Sequence, residues 1–269
     1  MRYETFPATP KLTPYVRFFW VLESDLSEGE EFVHRSVADG SVEIVFHYLG
    51  TFSDICDLGI SELSPLSNIQ AQSTGFRRFV TRTSFGIFGA YLYPFAIPRL
   101  FAMPATDLTN LSPDLYSVFG TEGKLLEEQM CTAADNEARV RIISTFLESK
   151  LEANRRELPI VHTAVHTIMN SGGLIKVDDL AKDFRLSTRQ FERRFKEFAG
   201  LSPKLYANVI RFQVAAAQRS SGIRDLTEIA YNCGYYDQSH FINDFRRFSG
   251  YSPKEYFWNQ AEGTQYMDV

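Results

Sequence analysis

Two clusters of long hydrogen-bonding side chains carry the chemistry in this chain. The first is Arg189, Gln190, Arg193, Arg194 and Lys196, and the second is Gln238, Ser239, His240, Asn243, Arg246 and Arg247. Arginine offers a planar fork of N–H donors that fits a guanine edge or a phosphate, and lysine offers a point charge for phosphate. Asparagine and glutamine pair a donor with an acceptor, which suits adenine. A run of such residues is more often an ordinary solvated helix surface. The choice between the two turns on whether the flanking sequence builds the same presenting device twice.

It does. Phe195 to Tyr206 reads FKEFAGLSPKLY and Phe245 to Tyr256 reads FRRFSGYSPKEY, while upstream Leu180-Ala181 matches Ile229-Ala230. Each copy predicts a short helix, a tight turn and a second helix that stops at a glycine, spanning about 177–198 and about 226–248. This is a helix-turn-helix, repeated. Ser187 and Asp237 stand where the second helix needs an N-cap, and Gly200 and Gly250 where it needs a left-handed end. Ser202-Pro203 and Ser252-Pro253 then start a further helix at once. Phe191, Phe195 and Phe198, like Phe241, Phe245 and Phe248, recur at helical spacing and are expected to face inward, leaving the donors outside.

Between the copies, Ser202 to about Arg219 predicts one helix with Tyr206, Ile210, Val214 and Ala217 along a stripe. Such a rod is about 27 Å long, against roughly 34 Å between successive major-groove faces. The shortfall implies tilted recognition helices or bent DNA, the latter costing on the order of 1–6 kcal/mol.

The pattern resembles the AraC/XylS family of bacterial transcription regulators. The resemblance rests on Leu180-Ala181, Ser187, Arg193, Phe195-Lys196, Gly200, Ser202-Pro203, Tyr206, Arg211 and Ala215 in the first copy. In the second it rests on Ile229-Ala230, Gly234-Tyr235, Asp237-Gln238-Ser239, Phe241, Phe245, Gly250 and Ser252-Pro253. It implies base contacts from Arg189, Glu192, Arg193, Gln238, Ser239 and Asn243, with phosphate contacts expected from Arg194, Lys196, Arg246 and Arg247. Two departures stand out. Arg185 occupies the turn position of Gly234, and Asn243-Asp244 replace Arg193-Arg194. An aspartate beside the DNA backbone is expected to repel phosphate and make the second unit the weaker reader.

The formal charge of −5 is unevenly spread. Residues 158–260 hold fourteen Lys/Arg against ten Asp/Glu, a net of +4, whereas residues 1–157 hold fourteen against twenty-one, a net of −7. The cationic surplus therefore sits with the repeat, and being modest it predicts weak, salt-sensitive non-specific binding. No run approaches eighteen apolar residues and the N-terminus lacks a signal core, so a cytoplasmic protein with no membrane contact is expected. Cys56, Cys131 and Cys233 are scattered and lack metal or disulfide spacing.

The fold class expected is α+β, with a β-rich domain at 1–157, an all-α domain with two helix-turn-helix motifs at 158–260 and a tail at 261–269. A hinge is expected over Ala153 to Glu157 and Pro159. Val16 to Leu22, Ser41 to Tyr48, Phe76 to Thr83 and Ser84 to Phe95 read as strands joined by turns, which suggests a small barrel or sandwich. Leu125, Met130, Ile142, Ile143, Phe146 and Leu147 outline helices that pack as a pair or serve as a dimer seam. This half resembles the cupin-like sensor domains that precede such DNA-binding domains, on VADGSVEIVF at 37–46, FGAYLYPF at 88–95 and MPATDLTN at 103–110. Trp20, Phe46, Tyr48, Phe88, Tyr91 and Tyr93 are candidates to line a ligand pocket, or simply to fill the core. No clustered His-x-His supports a cupin metal. His162 and His166 are spaced like a metal pair but lack a third ligand, so no metal and no cofactor are expected. Hydrolase, P-loop and dinucleotide signatures are absent, so no enzyme is expected either.

The reading that results is a sequence-specific DNA-binding regulator modulated by a small-molecule effector. Double-stranded DNA is the implied partner, with a second copy of the chain and RNA polymerase as further candidates. The rivals are a ligand-independent dimeric regulator and a cupin-like enzyme fused to a DNA-binding tail.

Overall fold

The structure, a computed structural model, describes residues 1–55, 61–154, 160–218, 225–258 and 262. Cys56, most of the expected hinge, Arg219 and all of the tail except Glu262 lie outside the described residues. The chain divides into two compact units. One comprises Met1–Phe32, Ser41–Gln72 and Phe79–Glu157, and the other Val33–Gly40, Ser73–Arg78 and Leu158–Val269.

The first unit is β-rich, as its β-branched and aromatic runs lead one to expect. Strands β1 (Arg2–Phe6), β2 (Val16–Ser24), β4 (Val42–Leu49), β7 (Ser67–Gln70) and β9 (Phe85–Leu92) form a sheet in the order β1-β2-β9-β4-β7, with the paired neighbours antiparallel. Strands β3 (Phe32–Ser36), β5 (Ser53–Ile55), β6 (Ser61–Leu63) and β8 (Arg77–Thr81) form a second sheet in the order β3-β8-β5-β6. All eight residues of β9 are buried, because this central strand is covered on both faces. Phe85 on one face meets Phe32 and Phe52, with ring centroids 4.6 and 5.0 Å away.

The opposite face meets helices. Here α1 (Ala96–Phe101), α3 (Thr121–Thr132) and α4 (Asn136–Ala153) pack on the sheet or on one another, and α2 (Leu115–Phe119) leads into α3. Arg139 on α4 is buried, and its guanidinium donates to the carbonyls of Met130 and Ala133 and to Asn136 Oδ1. It also lies 3.6 Å from the Tyr48 ring centroid, and Tyr48 in turn donates to Glu23. The buried cation is thus fully engaged, which is what its burial requires. Helix register corrects one expectation. Leu125 is 55% exposed and Leu126 is the buried leucine of α3, one turn before buried Met130, since i and i+4 share a face.

The second unit is helical, with α5 (Val161–Asn170), α6 (Val177–Asp183), α7 (Thr188–Ala199), α8 (Pro203–Ala217), α9 (Leu226–Asn232), α10 (Gln238–Ser249) and α11 (Pro253–Phe257). Helix α8 is the rod between the repeats. Tyr206 on it packs on Phe195 at 5.7 Å, and Phe212 packs on Phe245 and Phe248 at 5.0 and 5.5 Å. The two inserted segments belong here because they bond locally. Ala38 N–H donates to the Phe248 carbonyl and Gln213 Nε2 donates to the Ala38 carbonyl, at 3.1 and 2.6 Å. Arg35 stacks over Tyr251, 4.1 Å from its centroid. A single cut at residue 157 overlooks these segments.

The turn of the first repeat carries the strain that its sequence implies. Arg185 has φ of +53°, against +71° for Gly234 in the second, and a side chain in that left-handed region costs on the order of 1 kcal/mol. Arg185→Gly is therefore expected to hold stability or raise it by up to about 1 kcal/mol. Arg185→Val should lower it by about 1–2 kcal/mol, since a β-branched residue tolerates positive φ worst. Urea unfolding of the three proteins measures both, and a marked loss in the glycine variant contradicts the account.

Candidate nucleic-acid interface

Helix α7 is fixed at its start by side-chain chemistry and at its end by a glycine. Ser187 accepts from the Gln190 backbone while the Gln190 side chain accepts from the Ser187 N–H, a reciprocal capping box. Gly200 ends the helix with φ of +76°, and Ser202 caps α8 with Pro203 in its first turn. Phe191 and Phe195 are buried, and Phe184 stacks on Phe191 at 5.9 Å. Inward phenylalanines at i and i+4 leave the other face to solvent. There Ser187, Arg189, Gln190, Glu192, Arg193 and Lys196, with Ser202, line an open groove of about 560 Å³. The structure thus brings together Arg189, Glu192, Arg193 and Lys196. Arg194 is exposed but does not line this groove. Glu192 among three cations can accept a hydrogen bond from a cytosine amine or orient the arginines.

Helix α10 repeats the device with different results. Asp237 accepts from the His240 N–H, and Phe241, Phe245 and Phe248 are buried. Gln238, Ser239, Asn243 and Arg246 are exposed. Arg247 is exposed, but its Nε donates to the Thr74 carbonyl at 3.4 Å and its guanidinium lies over Phe248. Its Nε is therefore drawn toward the Ser73–Arg78 segment of this unit. Asp244 is only 7% exposed, so the expectation that it repels phosphate is corrected. Its position on α10 borders the phenylalanine stripe, and its carboxylate lies 3.6 Å from His240 Nε2. Burial raises the Asp244 pKa above the usual carboxylate value, against the opposing pull of His240, Arg247 and Arg211.

The six aromatic pocket candidates do not share a wall. Trp20 pairs with Gly89, which pairs with Val45, which pairs with Asn68, and directly opposed residues point to one side of a sheet. Trp20 and Tyr91 therefore share the face of Phe85, while Phe46 and Phe88 are on the other. Tyr48 packs against Arg139 of α4, and Tyr93 stacks on Phe95 beyond the end of β9. A signal the sequence reading passed over is polar. Trp20 Nε1, Asn68 Oδ1 and both amide atoms of Gln72 are buried without a hydrogen-bond partner among the described residues. Among the described residues no group of three or more His, Cys, Asp or Glu is placed to hold a metal, and no helix is long and apolar enough to cross a membrane.

Residues 180–258 match the family model of a helix-turn-helix domain, and residues 4–114 match that of DUF6597, a domain of unknown function. The chain is 37% identical over 78 residues to the HTH-type transcriptional activator RhaS of Escherichia coli (strain SE11), covering 29% of this chain and 28% of that protein. It is 38% identical over 76 residues to RhaS of Salmonella arizonae, covering 28% and 27%. The chain thus spans under a third of the length of these relatives. Among solved structures, ToxT from Vibrio cholerae aligns over 89% of this chain and 98% of its own at 14% identity, with a TM-score of 0.49. The repeat is a double helix-turn-helix domain. Residues 180–258 form such a domain, similar over that span to the activator RhaS.

The raised pKa of Asp244 has a definite sign. A carboxyl whose folded pKa lies above its unfolded value contributes stability below the unfolded pKa, and that contribution is lost as pH rises through the folded value. The ionised form is thus the costly one at neutral pH. Asp244→Asn should raise the melting temperature at pH 7, with the gain shrinking toward pH 4 and below. Its DNA affinity should not tighten. A variant that binds all sequences more strongly would restore the phosphate-repulsion reading.

Proposed function

We propose that this chain is a sequence-specific DNA-binding transcription regulator of the AraC type, acting in the cytoplasm and not as an enzyme. The observation that carries this is the pair of capped, phenylalanine-anchored helices held on one rod, each turning its donors outward. Arg189, Glu192 and Arg193 are assigned to base edges in the first half-site, and Gln238, Ser239 and Asn243 to those in the second. Arg194, Lys196 and Arg246 are assigned to phosphates, which position the protein without reading sequence. The relatives named as transcriptional activators match only over this domain, so the direction of regulation is for experiment to determine.

The N-terminal unit is assigned to sensing a small-molecule effector. Three observations support a polar ligand over a purely structural role: the unpaired Trp20 Nε1, Asn68 Oδ1 and Gln72 amide. Buried polar atoms without partners each cost about 1–3 kcal/mol, and a ligand that bonds them recovers that cost. Such a ligand regulates only if it binds two states of the protein unequally.

Selection from a random DNA pool should enrich a site with two half-motifs about one helical turn apart. On that site Arg193→Ala should cost about 1–3 kcal/mol and relax preference in the first half-motif. Lys196→Ala should weaken all sequences alike and reduce the salt slope by about one counterion. Asn243→Ala should cost less than Arg193→Ala, since one amide replaces a charged fork. Equal losses from Arg193→Ala on selected and random DNA would demote that residue to a phosphate contact, and enrichment of no sequence would defeat the proposal as a whole.

A further inference from the structure

Arg211 sits in the middle of α8, away from both recognition faces, yet it touches both halves of the domain. Its Nη2 donates to the Gly173 carbonyl at 2.9 Å, in the turn that leads from α5 into the first repeat. Its guanidinium lies 5.5 Å from the ring centroid of Tyr235, in the turn between α9 and α10. The two turns also meet directly beside it. A Cβ on Gly173 would stand 2.2 Å from the Ala207 carbonyl of α8, and one on Gly234 would stand 2.2 Å from Leu174 Cδ2. The turn over residues 173–174 is therefore wedged against the rod on one side and carries the turn of the second repeat on the other.

Electrostatics join the same groups. Arg211 is among the cations that pull the Asp244 pKa down against burial, and Asp244 and burial both push up that of Tyr235. Tyr235 is 5% exposed, and its ring packs edge-on against Phe241 and His240 of α10. A shift of Arg211 would thus be felt at the root of the second recognition helix. Aromatic contacts help anchor each repeat to its own end of α8, and such packing tolerates small rotations. A third contact between the repeats closes the triangle.

We infer that Arg211 is a positioning residue, a latch that sets the distance and angular phase between the two DNA segments the domain reads together. Its planar fork donates to a carbonyl while its face covers a ring, which a lysine ammonium cannot do at once. Inserting or deleting one base pair between half-sites rotates one against the other by roughly 35°. A latched pair resists that mismatch, and an unlatched pair follows it.

The inference rests on the DNA-binding reading, and the experiment separates the two. The selected site is prepared with its natural spacing and with one base pair added or removed, together with a duplex holding the first half-motif alone. The full chain, Arg211→Lys, Arg211→Met and Leu174→Ala are titrated against each, with circular dichroism confirming fold. The unaltered chain should lose about tenfold or more on either altered spacing. Arg211→Lys and Arg211→Met should lose less than about threefold there, while binding the single half-motif as the unaltered chain does. Leu174→Ala, at a half-exposed position, should flatten the profile in the same direction and carries the test if Arg211→Met fails to fold. Variants that weaken on every duplex but keep the spacing profile overturn the latch. An unaltered chain with no spacing preference overturns it too, whereas one that selects no sequence defeats the DNA-binding reading instead.

Discussion

Everything the C-terminal unit presents to solvent depends on aromatic side chains that seat two helices on a third. Phe195 on Tyr206 fixes α7, and Phe245 and Phe248 on Phe212 fix α10. Because helix geometry puts i and i+4 on one face, placing Phe191 and Phe195 inside forces Arg189, Arg193 and Lys196 outside. Their aim is a by-product of hydrophobic packing, reinforced by caps at Ser187, Ser202, Asp237 and Ser252 that set where each helix begins.

That dependence explains how much was legible in the residues alone. The duplicated FKEFAGLSPKLY and FRRFSGYSPKEY stretches, the caps and the phenylalanine period are local signals, and the helices stand where those signals put them. Asp244 lies at the margin of the buried stripe, where a period of 3.6 residues leaves the side undecided, and the structure turns it inward. Besides His240 one turn earlier, Asp244 feels Arg211, and the Arg247 Nε reaches the Thr74 carbonyl; both of these lie thirty or more positions away and leave no trace in the local pattern. In β9 the limit was different. Alternation shows which face is buried only when the other is wet, and here every residue is buried, so Phe88 and Tyr91 read alike although they point to opposite sides.

The two faces of that sheet differ in chemistry as well as direction. On the helical side, Glu23, Tyr48, Asn136 and Arg139 satisfy one another, and the hydrogen bond from Tyr48 is the leading cause holding the Glu23 carboxyl below its usual pKa. On the other side Trp20 and Asn68 keep polar atoms unpaired. A closed network stiffens one wall. The other carries the unmet capacity of Trp20 and Asn68, and on the helical side Ser144 of α4 is likewise unpaired among the described residues.

The composition of the second unit has a bearing on synthesis. Arg35 donates to the Ser249 carbonyl, a partner 214 positions further along the chain. On a ribosome adding roughly 5–20 residues per second, the Val33–Gly40 segment leaves the exit tunnel on the order of ten seconds or more before the helix it joins exists. A contact so distant in sequence also forms late for entropic reasons. The N-terminal sheet must therefore hold its shape for that interval with one stretch of chain still waiting for its partner, and a nascent protein stalled before residue 248 lacks part of the structure that its first forty residues were made to complete.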